Sequence, residues 1–266
     1  MSDLHSEAAL SSATLMAASP RFAEAVAISH EQRSLGVGCH IVLVDGSPVA
    51  PSDSISSLIA GYADPQQGPI FRSTLGTFVR DLSAGRIARE DIEREATAQI
   101  VHLQQAGISV THVDTHKHTH MFPAVLDAVT RAAKACGVGA IRNPFEPAWS
   151  IAVTPNAGLL RRLQVHVLGR YRRNFLRVVQ ERGFATTKGC VGVLATGTLN
   201  APALAAILRQ MPEGTWELVC HPAYMDEELR TTRTRLQESR TVELHTLRAM
   251  PAILAGKVEQ IHFGQV

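Results

Sequence analysis

An α/β fold built on parallel strands is predicted by three features of this 266-residue chain. Short β-branched runs such as LGVGCHIVLV (35–44) and ELVC (217–220) alternate with longer amphipathic segments, the pattern of successive βαβ units. Hydrophobic residues make up 45% and charged residues 19%, which supplies one sizeable core. The length suits a single α/β barrel as well as it suits two smaller domains, and no internal repeat or low-complexity tract divides it.

Composition also excludes classes. A formal net charge of +2 is too small to argue for a nucleic-acid partner. No apolar run approaches the roughly 20 residues of a membrane span. Cys39, Cys136, Cys190 and Cys220 are far apart and form no CxxC pair, so they read as reduced thiols of a cytoplasmic protein.

The elements follow in order. The first twenty residues lack a basic stretch leading into an apolar one, so they are not a signal peptide; they read as the tail of a helix and then a strand at Ser12–Met16. Ala23–Ser29 is a helix. Leu35–Val44 is a strand closed by the turn signal Asp45-Gly46. Residues 46–72, rich in Pro, Gly and Ser, form a long loop of the kind that carries function. Arg86–Ala106 is a helix ended by Gly107, Ile108–Asp114 a strand, and Ala124–Cys136 a helix ended by Gly137. Ala140–Asn143 is a short strand. Leu159–Gly183 is one helical, basic stretch, with six arginines and no acidic residue between Glu146 and Glu181. By default that is a solvated face; its functional reading is a surface for an anionic or lipid-borne substrate. Gly192–Thr196 is a strand, Ala201–Gln210 a helix, Glu217–Cys220 a strand, Glu238–Met250 a helix and Gln260–Phe263 a last strand.

The chemistry concentrates in THVDTHKHTHMFP (111–123). Four of the twelve histidines lie there, and His112, Asp114, His116, His118 and His120 take alternate positions. On an extended backbone these would share one face. Neutral imidazole is the commonest protein metal ligand, and histidine-rich tracts are metal-binding by composition. Not all five can touch an ion, so some would orient others. His40, His116 and His221 each stand where a strand gives way to a loop, the end at which α/β sites gather. His40 or His221 taken alone is as readily a satisfied core histidine.

GVGCHIVLVDGSPV, THVDTHKHTHMFP, RNPFEP (142–147) and ELVCHPAY (217–224), in that order, resemble the YdjC/ChbG-type carbohydrate deacetylases. The HKH and RNPFEP variants look closest to the hopanoid-biosynthesis branch called HpnK. The resemblance implies a single domain over residues 1–266: a distorted TIM-like barrel of about seven parallel strands. It implies hydrolysis of the N-acetyl group of an amino sugar, carried by an oligosaccharide or a lipid-linked glycan. It implies one divalent metal ion, Zn or Mg, held by His40 and His116, with His221 as general acid to the departing amine. Asp114, His118, His120 and Arg142 would orient the ligands or meet substrate. The family's A-D-D-F-G strand, source of a third ligand and the base, has no counterpart before Ser11, so the first strand is expected to be absent and the chain N-terminally truncated. An open barrel edge would then favour homo-oligomers. The alternative is a catalytically incompetent relative that binds sugar or a partner through the remnant cleft.

Overall fold

Glycines decide how closely the central strand can be approached. In the computed structural model, which describes residues 1–62, 68–155, 158–231, 234, 236–251 and 258–266, that strand is β2. In chain order the elements are α1 (Ser2–Ser6), β1 (Ser12–Leu15), α2 (Phe22–Glu31), β2 (Gly36–Ile41), β3 (Ile59–Tyr62), β4 (Pro69–Phe71), α3 (Leu75–Ser83), α4 (Arg89–Gln105), β5 (Val110–Thr115), α5 (Pro123–Ala135), α6 (Ala148–Val153), α7 (Leu159–Leu168), α8 (Arg172–Glu181), β6 (Cys190–Val191), α9 (Ala201–Gln210), β7 (Glu217–Leu218), α10 (Glu227–Thr231) and α11 (Glu238–Arg248). Helices thus alternate with strands through most of the chain, as expected.

Strands β1, β2 and β5 form a parallel sheet with β2 in the middle. Single parallel bridges, Val113 to Ile141 and Ala140 to Ala185, extend it sideways. Beyond them Cys190 N–H donates to the Phe145 carbonyl, and β6 pairs with β7 in parallel. This succession is parallel throughout, but a closed barrel of seven strands is not what the described residues show. The stretch Ala140–Asn143 contributes bridges, not a full strand. A separate antiparallel pair, β3–β4, sits within the expected 46–72 loop, of which residues 63–67 lie outside the described set.

The expected strand 35–44 stops at Ile41 for a visible reason. The Gln99 side chain accepts from Val42 N–H (2.8 Å) and donates to the Val42 carbonyl (2.7 Å), replacing the ladder with a side-chain clamp from α4. Glu95, one turn earlier, accepts from Val49 and Ala50 N–H, so the backbone groups of the departing loop are satisfied.

Apolar faces of α4, α5 and α8 close on this sheet: Ile92, Ile100, Leu103, Leu126 and Phe175 are fully buried with Cys39, Ile41 and Val113. A second cluster joins α9, α11 and β6 and takes in Leu4 and Ala9 near the N terminus.

Three expectations are corrected. Gly192–Thr196 is a turn: Gly192 has φ 91°, and its N–H and that of Leu194 point at the Glu146 carboxylate, which a ladder would forbid. Leu159–Gly183 is broken at a 3₁₀ turn, Gly169–Tyr171, into α7 and α8. Gln260–Phe263 is irregular and runs into a 3₁₀ turn at Phe263–Gln265, capped by the His262 side chain. Among the described residues no helix is long and apolar enough to cross a membrane.

Candidate active site

The expected alternation along residues 112–120 holds only as far as the strand does. His112 and Asp114 lie on β5, two residues apart and buried. From His116 to Met121 the chain turns into a 3₁₀ segment in which Lys117 (φ 55°) and His118 (φ 53°) adopt left-handed conformations. Two consecutive non-glycine residues in that region are costly and are kept where surrounding contacts hold them. Here the Lys117 ammonium reaches the carboxylate of Asp45, itself at φ 56°, at 2.7 Å. The five alternating residues therefore do not share a face.

Each goes to a different partner. His116 turns toward β2, where its Nδ1 lies 3.4 Å from His40 Nε2. The other nitrogen of His40, Nδ1, lies 2.8 Å from Asp114 Oδ1. Asp114 Oδ2 accepts from the Arg142 guanidinium, which in turn grips Glu217 Oε1 through Nε (2.7 Å) and a terminal nitrogen (2.6 Å). His120 leaves this line: its Nδ1 meets Thr115 Oγ1 at 2.7 Å and its Nε2 the Arg142 carbonyl at 3.0 Å, so it braces the turn. His118 is half-buried, and its Nδ1 is buried and unpartnered. His112 is stacked on Phe263 (centroids 4.0 Å apart, 12° between planes) and serves packing.

A part-buried chain results, Glu217, Arg142, Asp114, His40, His116, with Asp114 fully buried at its middle. Burial raises the Asp114 carboxyl, but the Arg142 guanidinium and His40 outweigh it and hold the group well below the usual range, hence ionised. Burial raises Glu217, against the pull of Arg142. Burial, reinforced by His40 and Lys117, pushes His116 down to about 4, so it is a neutral imidazole with a lone pair to give. Asp114 fixes His40 with a proton on Nδ1 and leaves Nε2 free to ligate, the carboxylate–histidine arrangement that orients metal-binding imidazoles.

Two nitrogens bound about 2.0–2.1 Å from one tetrahedral ion stand about 3.3–3.4 Å apart. The His40–His116 separation of 3.4 Å matches that bite. These two imidazoles fit a divalent ion, and nitrogen donors suit zinc. Among the described residues no group of three or more His, Cys, Asp or Glu side chains gathers as a metal site. Asp114 and Asp45 are engaged elsewhere, with Arg142 and Lys117.

His40, His116, His118, Arg142, Glu217 and His221 all line a cavity of about 1940 Å³. The volume exceeds that of a usual small-ligand pocket and leaves room for a sugar with an extension. His221 is set by Glu243, which accepts its backbone N–H, while its Nδ1 is buried and unpartnered. Burial first, then Arg240 and Arg142, push its ring down to about 4. At neutral pH His221 is therefore uncharged, and to act as acid toward a departing amine it must first take up a proton.

Sequence reading missed Glu217 and Glu243. Glu217 carried a signal, an acidic residue opening the buried strand ELVC. Glu243 carried none, since an acidic residue on a charged helix reads as solvated.

The site so defined is a cluster of imidazoles and carboxylates at the ends of parallel strands, beside a large cavity. The family model for "YdjC-like protein" matches residues 1–252, and the chain belongs to that family. A carbohydrate deacetylase of Brevibacillus brevis is 30% identical over 248 residues, 93% of this chain and 83% of that one. A carbohydrate deacetylase of Geobacillus stearothermophilus is 26% identical, covering 94% and 82%. The crystal structure of a candidate cellobiose-phosphate cleavage protein from Enterococcus faecalis V583 superposes with a TM-score of 0.75 at 18% identity, covering 99% of this chain and 90% of that one, a likeness of fold.

Proposed function

We propose that this protein is a metal-dependent hydrolase that removes the N-acetyl group from an amino sugar, presented as an oligosaccharide or a lipid-linked glycan. The observation that carries the reading is the His40–His116 bite, held by Asp114 in the wall of a sugar-sized cavity. Its relatives named carbohydrate deacetylase support the substrate class, and the parallel succession of strands is consistent with a distorted TIM-like barrel.

In this reading His40 and His116 hold one divalent ion, zinc or magnesium. Bound there, the ion supplies Lewis-acid polarisation of the acetyl carbonyl and makes a nearby water easier to deprotonate. The protein's own groups do the rest. His221, neutral at rest, accepts the proton of the attacking water and returns it to the amine nitrogen as the C–N bond breaks. Acetate and a free amino sugar leave. Arg142 keeps Asp114 ionised, and so keeps His40 in the ligating tautomer. His118, on the cavity wall, meets the sugar.

The test is acetate release from N-acetylated chito-oligosaccharide by the full chain, compared with its His221→Ala variant at equal metal loading. Release by the wild type and a loss of at least about a hundredfold in the variant is expected; undiminished release by the variant removes His221 from the mechanism.

A further inference from the structure

Helix α7 places its large apolar residues on the wrong side for a helix that only packs inward. Leu159 is 88% exposed, Leu163 58% and Val167 39%. Spaced four apart, they form one stripe along the solvent side. Scattered exposed leucines are ordinary, whereas a stripe on successive turns marks an interaction surface. Inward packing is already provided by other residues: Phe175 and Val179 of α8 are buried, and Leu168, Tyr171 and Leu176 lie against the core.

The charge around the stripe is of one sign. Six arginines and no acidic residue fall between Glu146 and Glu181. Arg170, Arg172 and Arg173 are exposed just beyond the stripe. Arg161 and Arg162 staple α7 down, donating to the Val193 carbonyl and to the Ile151 and Thr154 carbonyls. Arg161 and Val193 also line the active-site cavity, so the stripe begins two residues from its wall.

We propose that the α7–α8 segment docks this protein on an anionic lipid bilayer, with Leu159, Leu163 and Val167 entering the interface and the neighbouring arginines facing lipid phosphates. A basic, amphipathic helix with an apolar stripe and low overall hydrophobicity is the pattern that lies in a membrane surface. A second copy of the chain fits poorly, because the same face would oppose arginine to arginine. Docked in this way, the cavity opens beside the bilayer and receives a sugar still attached to its lipid. That last step rests on the deacetylase reading; the docking does not.

The experiment is co-sedimentation of the full chain with vesicles of phosphatidylcholine alone or mixed with phosphatidylglycerol, at low and high salt. Two variants accompany it, Leu159→Gln/Leu163→Gln and Arg170→Gln/Arg173→Gln, both confined to exposed positions. The wild type should bind the phosphatidylglycerol vesicles, lose binding in high salt, and weaken at least about tenfold in either variant. Acetate release from a water-soluble sugar should be unchanged in both. Equal binding to the two vesicle types, or variants that bind like the wild type, overturns the proposal. Failure to sediment with either vesicle also overturns it and leaves the stripe to an acidic protein. Persistent vesicle binding without acetate release by the wild type would count against the deacetylase reading alone.

Discussion

His116 Nδ1 and His40 Nε2 face each other at 3.4 Å across two different strand ends, and a buried carboxylate, Asp114, holds the far side of His40 at 2.8 Å. In the proposed function this pair holds one ion, and Asp114 sets which tautomer offers the lone pair. Asp114→Asn should lower metal affinity about 10–100-fold while leaving both imidazoles in place. Titration of the metal-free protein with zinc, followed by calorimetry, checks this; unchanged affinity would detach Asp114 from the site.

Arg142 lies between Asp114 and Glu217 with little exposure. Removing it leaves two buried carboxyl groups without a counter-charge. Arg142→Met should destabilise the fold by about 3–5 kcal/mol, the cost of breaking a buried ion pair from one side. Urea unfolding measures it, and Glu217→Gln in the same background should recover part of the loss.

Gly38 passes directly over the His112 ring. A Cβ there would meet His112 Cε1 at 2.5 Å, and the ring cannot retreat because Phe263 stacks behind it. Gly38→Ala is expected to cost about 1–3 kcal/mol by overpacking. Thermal unfolding of that variant beside Gly76→Ala, where the nearest atom is 4.0 Å away, separates the crowding from the general effect of losing a glycine.

Much of this was legible in the sequence, and the failures have local causes. The alternation of strands and helices was readable because apolar runs such as GVGCHI are short and separated by amphipathic segments. The nearness of His40 and His116 was readable because both stand where a strand gives way to a loop. The shared face of residues 112–120 was not, since nothing in the residue types announces left-handed Lys117 and His118; a Lys117–Asp45 contact 72 positions apart holds that turn. The run GVLAT looked like a strand because it is short and apolar after a glycine, yet a carboxylate from Glu146 takes N–H groups a ladder needs. Glu217 was overlooked although it opens an apolar strand, because the arginine that gives its carboxylate a role is 75 residues away.

Several histidines are buried in their neutral form. Burial pushes His112 down to about 3 and His120 to about 4 from an ordinary 6.5. Below 6.5 the unfolded chain binds protons that the folded one refuses, so stability falls as pH drops from 6.5 toward 4. Each such group contributes a slope of about 1.4 kcal/mol per pH unit in that window. Melting temperature across the window should therefore fall steeply, and His112→Gln, which cannot take up a proton, should flatten the decline by about one such group. A decline unaltered by that change would show that His112 is not among the groups responsible.

The most direct test of the account is acetate release from N-acetylated chito-oligosaccharide by the full chain, after chelation and after zinc or magnesium is restored, for the wild type and His116→Ala. The account predicts release that stops on chelation, returns with metal, and is absent from the variant. Release that survives chelation, or that persists in His116→Ala at full metal loading, would contradict it.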